Sequence, residues 1–101
     1  MQPETEGRII QIIKLRTSLK EDEVLKIARE SVPQFKAIPG LIKKYYVKVS
    51  PPHHFAGIYI WDSMESLQTY RESELAASIP QAYKLIEAPE IEILDVMFEL
   101  R

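Results

Sequence analysis

The sequence predicts an α+β fold of the ferredoxin-like type, βαββαβ, in which helices cover one face of a four-stranded antiparallel sheet. Four runs rich in β-branched and aromatic residues are typical of strands, and two stretches with apolar residues at helical spacing lie between them. Proline or glycine marks several of the boundaries. At 101 residues the chain has the size of one domain, so we expect a single domain over residues 1–101, frayed at 1–7.

The first strand is expected over residues 8–16, RIIQIIKLR, which carry apolar side chains on both faces. Ser18 and Glu21 have the spacing of a capping box, and a helical stripe of apolar residues follows them. Pro33 lies within that stripe and has no N–H for the helical hydrogen bonds. We therefore expect a kink or a break near residues 29–32.

The middle of the chain predicts a hairpin followed by a helix. Strands are expected over residues 41–49 and 55–62, which are rich in aromatic and β-branched side chains. The intervening segment at 50–54, Ser-Pro-Pro-His-His, cannot continue a ladder because its two prolines donate no hydrogen bonds. Ser63 is a natural N-cap for the helix that comes next.

The last part of the chain predicts a loop and a short helix within residues 74–88, with the helix restarting at Pro80, a favoured first-turn position. A final strand is expected over residues 90–100. The first and last strands are apolar on both faces, and helices can cover only one face of such a sheet. We therefore predict that the chain pairs with itself as a homodimer through the open sheet face.

Composition excludes several functions. The net charge of −2 and the pI near 5.7 argue against binding of nucleic acid, which needs a surplus of Lys and Arg on one face. No apolar run is long enough to span a bilayer, and the acidic, polar N-terminus is unlike a signal peptide. Because the chain has no cysteine, it has no thiol nucleophile or disulfide, and a cytoplasmic location fits best.

No cofactor or metal is expected. The chain lacks a P-loop and a dinucleotide-binding glycine motif. Its only histidines are His53 and His54, which are adjacent and so point apart in an extended chain, with no third metal ligand at a recognisable spacing.

Three segments resemble a known family. They are IPGLIKKYY at 38–46, AGIYIWDS at 56–63 and ESLQTYRES at 65–73, and they are similar to the small monooxygenases of the dimeric α/β-barrel superfamily, the antibiotic-biosynthesis-monooxygenase-like proteins. The resemblance implies a dimeric α/β barrel. It also implies cofactor-independent oxidation of a small aromatic compound such as a quinol, a phenol or an anthrone.

The superfamily also holds haem-degrading enzymes and stress-responsive barrel proteins with cyclase activity. Haem degradation is disfavoured because no predicted helix carries a histidine that could be the axial ligand. A cyclase or isomerase, and a non-enzymatic dimeric module that binds small molecules, remain the alternatives.

Aromatic residues of the hairpin suggest a pocket. If Val49 pairs with Phe55, Tyr45 lies beside Tyr59 on the face that also carries Trp61. This register predicts a cavity between sheet and helices that is bordered by these three rings and suits a planar phenolic molecule. The alternative is that the rings only pack in the core or in a dimer interface.

Site roles follow from the pocket and from the resemblance. Family members commonly carry a tryptophan at the position of Trp61, near the substrate, and His54 is the candidate base because it adjoins the hairpin strand. Either Tyr70 or Arg71 must face the sheet; Arg71 could stabilise an anion, although an ion pair with Glu74 is favoured. The predicted site thus has two groups: catalytic residues His54, Trp61 and Arg71, and substrate-binding residues Tyr45, Tyr59, Tyr70 and Tyr83.

Overall fold

The computed structural model describes residues 8–50 and 53–101, so the segment predicted to be frayed, 1–7, lies outside the described residues. The strands form one antiparallel sheet in the order β2-β3-β1-β4, with both helical regions split in two. The βαββαβ prediction is confirmed. The elements are β1 (Ile9–Arg16), α1 (Glu21–Glu30), α2 (Val32–Lys36), β2 (Leu41–Val49), β3 (His54–Trp61), α3 (Met64–Arg71), α4 (Glu74–Ala82) and β4 (Glu90–Asp95).

The first helical region breaks where proline predicted it. Helix α1 ends at Glu30, Ser31 lies between the helices, and α2 begins at Val32 with Pro33 in its first turn. The predicted capping box is wrong, because the N-cap is Lys20, whose N–H donates to the Glu23 carboxylate at 3.0 Å. The helix starts late because Thr17 still forms an antiparallel bridge to the segment after α4.

Helix α4 begins earlier than predicted. Its N-cap is Ser73, whose hydroxyl accepts a hydrogen bond from the N–H of Ala76 at 3.2 Å. Pro80 lies inside this helix instead of starting it, and the helix ends two residues later. Packing of Leu75 and Ile79 against the core offsets the hydrogen bond that the proline removes. Among the described residues, no helix combines the length and the apolar character needed to span a membrane.

The register of the β2-β3 hairpin differs from the prediction by one residue. Val49 pairs with His54, because the turn is one residue shorter than expected. A one-residue slip sends a strand's side chains to the opposite face. Tyr45 therefore lies on the open face of the sheet, and Lys44 takes the place beside Tyr59.

The main core lies between the helices and the sheet. Its centre is Trp61, which has no exposed surface and packs with Leu67 of α3. The Trp61 ring stacks on Tyr59 with 6.0 Å between centroids and 4° between planes. Burial of these large rings contributes apolar area that holds the helices to the sheet.

The last strand is shorter than predicted, ending at Asp95 instead of residue 100; Asp95 pairs with Ile9, the first residue of its partner β1. One further hydrogen bond joins the N–H of Val96 to the carbonyl of Arg8 at 3.1 Å. The segment at 96–101 forms no strand and leaves large apolar side chains exposed, namely Met97, Phe98 and Leu100.

Candidate functional site

A cavity lies between the β2-β3 hairpin and helices α1 and α4, where the sequence predicted one. Its volume is about 90 Å³, and it opens to solvent on one side. An ion pair at 3.2 Å between Lys48 and Glu21 stands among its lining residues. Apolar side chains form most of the wall, and the polar groups facing it are those of Glu21, Lys44, Tyr46, Lys48, Tyr59 and Tyr83.

Lys44 occupies the centre of this site. Its aliphatic stem crosses β3 at Gly57, where an added Cβ would lie 3.4 Å from Lys44 Cε and 2.9 Å from the Tyr59 ring. The absence of a side chain at Gly57 thus gives the lysine room to reach inward. Its Nζ lies 3.3 Å from the ring centroid of Phe35, 4.3 Å from Tyr46 and 4.5 Å from Tyr59.

Burial lowers the pKa of Lys44 from 10.5 to about 7. Cation–π attraction by the three rings favours the ammonium form and so opposes this shift, but the amine remains buried. Within the described residues, Lys44 forms no ion pair with a carboxylate that could restore an ordinary pKa. Neutral and protonated amine are therefore both populated near pH 7.

Burial keeps the tyrosine hydroxyls of this part of the core protonated. The hydroxyls of Tyr59 and Tyr70 lie 3.4 Å apart, and burial raises the pKa of both groups. Burial likewise raises the pKa of Tyr83 to about 12 and raises that of Tyr46, while a side-chain hydrogen bond with Ser31 acts in the opposite sense on each. At neutral pH these hydroxyls can donate to an anion.

Trp61 does not border the cavity, so this part of the pocket prediction is wrong. Its indole N–H donates to Gln11 Oε1 at 3.0 Å, and both residues are buried. The hydrogen bond leaves no free donor on the indole for a substrate. The ring is enclosed because Leu67 of α3 closes over the end of β3.

His54, Tyr45 and Arg71 also lie away from the cavity. His54 pairs with Arg16 and Val49 and, by alternation along β3, points to the open face. Tyr45 is on the same face, with 49% of its surface exposed, because of the altered register. The predicted grouping of these residues around one pocket is therefore wrong.

Arg71 is exposed at the end of α3, and Tyr70 is the residue that faces the sheet. Both line a second cavity of about 170 Å³ between β1 and α4. The favoured ion pair of Arg71 with Glu74 is not formed in the part of the chain that the structure describes. Of the predicted substrate-binding residues, Tyr59 and Tyr83 line the cavity that contains Lys44.

The sequence reasoning missed Lys44. It is one of two adjacent lysines, and only the register decides which of them faces the helices. One signal was available, since a glycine inside a strand, here Gly57, often marks the close approach of another group. Residues 8–50 and 53–101 contain no cluster of three or more His, Cys, Asp or Glu side chains placed to bind a metal ion.

Comparisons with known proteins define the fold class. No protein-family model and no curated protein matches the chain. Among solved structures, it is similar to a "putative antibiotic biosynthesis monooxygenase" from Caulobacter crescentus, at 19% identity and a TM-score of 0.75 over 92% of both chains. The chain thus has the fold of antibiotic-biosynthesis-monooxygenase-like proteins.

Two further structures agree with this class. SnoaB, a cofactor-independent oxygenase from Streptomyces nogalater, is 10% identical with a TM-score of 0.75 over 93% of this chain and 97% of SnoaB. A Nitrosomonas europaea protein of unknown function is 16% identical with a TM-score of 0.77 over 94% of each chain. At such identities the likeness shows the fold, and function has to be argued from the site.

Proposed function

We propose that the protein is a cofactor-independent monooxygenase acting on a small aromatic compound such as a quinol, a phenol or an anthrone. The observation that carries this proposal is the apolar cavity in which Lys44, with a pKa of about 7, lies among protonated tyrosines. Such a base and such donors are what deprotonation of an acidic O–H or C–H requires. The shared fold with the oxygenase SnoaB supports the same assignment.

The size of the cavity limits how a substrate binds. Its volume of about 90 Å³ is smaller than the roughly 150 Å³ of a protein cavity known to accept benzene. A cavity of this size takes the reacting edge of one ring, and the remainder of the molecule extends out of it towards solvent. A planar molecule suits this arrangement because the flat rings of Tyr46, at the entrance, and the buried Tyr59 line the cavity.

The proposed reaction begins with neutral Lys44 removing a proton from the substrate. The ammonium that forms, together with the tyrosine hydroxyls, stabilises the substrate anion. The anion passes one electron to O₂, the two radicals combine into a peroxide, and Lys44 returns its proton to that peroxide. Loss of water from the hydroperoxide leaves a new carbonyl group, so one oxygen atom enters the substrate and the other leaves as water.

Replacing Lys44 by methionine is expected to lower kcat/KM for oxygen uptake by at least roughly 10²-fold, since the base is lost. In the wild-type protein, kcat/KM should rise as pH increases through about 7, because only the neutral amine accepts a proton. An oxygen electrode with anthrone and naphthohydroquinone, corrected for spontaneous oxidation, measures both effects. Lys43→Met is the matched control, since Lys43 pairs with Ile60 on the other side of the strand.

Folding of the Lys44→Met variant can be checked separately. Burial disfavours the ammonium form of Lys44 in the folded protein, whereas the unfolded chain binds this proton at an ordinary pKa. The free energy of unfolding of the wild type therefore decreases as pH falls from about 10.5 towards 7. The variant lacks that loss and should melt no lower than wild type at pH 7. If a well-folded Lys44→Met protein consumes oxygen at the wild-type rate, Lys44 is not the base.

The alternatives separate by the same assay. A cyclase or isomerase would use the same base and hydroxyl donors without oxygen. Turnover that persists under argon would therefore identify the protein as a cyclase or isomerase and contradict the oxygenase proposal. Saturable binding of aromatic compounds without any turnover would identify a non-enzymatic binding module.

We also propose that the protein forms a homodimer through the open face of the sheet. A block of apolar side chains lies at its centre, where Ile10 pairs with Ile60 and Leu94, and Ile12 pairs with Ile58. Leu94 is 45% exposed, and such a block of apolar surface costs free energy unless it is covered. A second copy would cover it and the apolar C-terminal segment at 96–101.

Light scattering on a sizing column is expected to report twice the mass of 11.7 kDa at micromolar concentration. Ile58→Glu should shift the protein to the monomer, because a carboxylate at the centre of an interface of roughly 1,500 Å² has to lose its water. The control Leu25→Glu places the same charge on an exposed position of α1 and should remain dimeric. A wild-type monomer under these conditions would refute the interface.

A further inference from the structure

We infer that Lys44 is also a nucleophilic amine, and that the cavity captures small aromatic aldehydes and ketones as an imine on its Nζ. This activity uses the cavity of the proposed oxygenase but does not depend on reaction with oxygen. It defines carbonyl compounds as a second class of ligand for the protein.

The first argument is the position of the amine. Nζ lies inside an apolar cavity, 3.3 Å from the Phe35 centroid, and is held there by a stem that passes over Gly57. A carbonyl carbon entering past Tyr46 would meet the amine among ring faces, and little water would compete for it. Apolar surroundings of this kind activate lysine for imine formation, because they favour the neutral form.

The second argument is the lack of a competing partner. A lysine that is paired with a carboxylate stays protonated and cannot attack a carbonyl. Lys48, four residues further along β2, is paired in this way with Glu21 at 3.2 Å. Among the described ion pairs none involves Lys44, and its pKa of about 7 agrees with an amine that is available at neutral pH.

The chemistry balances without any other reactant. The neutral amine adds to the carbonyl carbon and gives a carbinolamine, with the amine proton passing to the carbonyl oxygen. A proton from solvent converts the carbinolamine hydroxyl into a leaving water, the C=N bond forms as that water departs, and the N–H proton of the resulting iminium returns to solvent. Hydrolysis reverses the sequence, so the imine forms and breaks without net oxidation or reduction.

The expected selectivity follows from the fraction of neutral amine. At pH 7 about half of an amine of pKa 7 is neutral, against less than roughly 0.1% of an ordinary lysine of pKa about 10.4. The weaker intrinsic nucleophilicity of the less basic amine reduces this advantage. We therefore expect Lys44 to react at least about tenfold faster than Lys43, its exposed neighbour in the sequence.

The test is reductive trapping. The full chain is incubated at pH 7 with benzaldehyde and cyanoborohydride, which converts an imine into a stable benzylamine, and the adduct is located by intact mass and peptide mapping. The expected result is one predominant benzyl group on Lys44. Labelling should be lost from that position in Lys44→Arg, which keeps the charge but cannot form the imine, and kept in Lys43→Arg.

Labelling spread evenly over the surface lysines, or unchanged total labelling in Lys44→Arg, would overturn the inference. The result is independent of the oxygen assay. If oxygen uptake depends on Lys44 but no adduct forms there, the role of Lys44 as a base is supported and the inference of imine formation is wrong. If the adduct forms but wild-type protein consumes no oxygen with any quinol, the imine stands and the oxygenase proposal fails.

Discussion

Trp61→Ala is expected to lower the free energy of unfolding by about 3–5 kcal/mol, the usual cost of removing a large buried ring. Trp61 has no exposed surface and contacts the rings of Tyr59 and Tyr70, with centroids 6.0 and 5.4 Å away. Loss of the indole leaves a void between the end of β3 and helix α3. Since domains of this size have only about 5–15 kcal/mol of stability, this loss is a large share of the total.

A conservative variant separates packing from hydrogen bonding. Trp61→Phe keeps much of the ring volume but removes the N–H that donates to Gln11 Oε1 at 3.0 Å. Among the residues that the structure describes, the Nε2 of that amide already has no partner, so the whole buried amide would be unsatisfied, at a cost of about 1–3 kcal/mol. Urea unfolding followed by circular dichroism measures both variants.

The control is Ile86→Ala, which truncates an apolar side chain that is 58% exposed and should change stability by no more than about 0.5 kcal/mol. A loss of less than 1 kcal/mol in Trp61→Ala would contradict the central packing role of this residue. A large loss in Trp61→Ala with normal oxygen uptake in Trp61→Phe would confirm that the ring is structural and not part of the site.

Gly40→Ala is expected to destabilise the protein by about 3 kcal/mol. Gly40 has a φ of +83°, which costs a residue with a Cβ about 1–2 kcal/mol. The new Cβ would also lie 2.1 Å from Ser66 Oγ and 2.7 Å from Asp62 Oδ1, and such overpacking typically costs a further 1–3 kcal/mol. The turn cannot move away freely, because its carbonyl accepts a 2.8 Å hydrogen bond from the N–H of Asp62.

A double-mutant cycle tests the source of this effect. Ser66→Ala removes the nearest atom, the hydroxyl that also donates to Asp62 at 2.6 Å, but keeps the Cβ that lies 2.5 Å from the new methyl. The double variant Gly40→Ala/Ser66→Ala should therefore be less destabilised than the sum of the single variants, without recovering fully. Strict additivity would show that the Ser66 hydroxyl does not contribute to the destabilisation.

The order of elements could be predicted from local signals. The break before Pro33 follows from a missing N–H, and the start of α3 follows from the Ser63 side chain, which accepts from the N–H of Ser66 at 3.2 Å. Both are interactions between residues close in sequence, so the sequence alone determines them. Ser73 is an N-cap of the same kind for α4, but the prediction took Pro80 as the start of this helix instead.

The site depended on a contact that local signals do not specify. Whether Lys44 or Tyr45 faces the helices is decided by the length of one turn, because each added residue exchanges the two faces of a strand. Trp61 was wrongly placed at the cavity for a related reason. Alternation along a strand predicts which face a side chain lies on, but it does not predict which other residues cover that side chain.

The sequence by itself therefore determined the βαββαβ order, the break before Pro33 and the presence of an aromatic layer on one side of the sheet. Only the tertiary structure decided that Leu67 encloses Trp61 and that Lys44 reaches inward over Gly57 to lie against Phe35. The physical reason is the range of the interactions. Caps and proline breaks act within about one helical turn, whereas burial, and with it the lowered pKa of Lys44, results from elements brought together from distant parts of the chain.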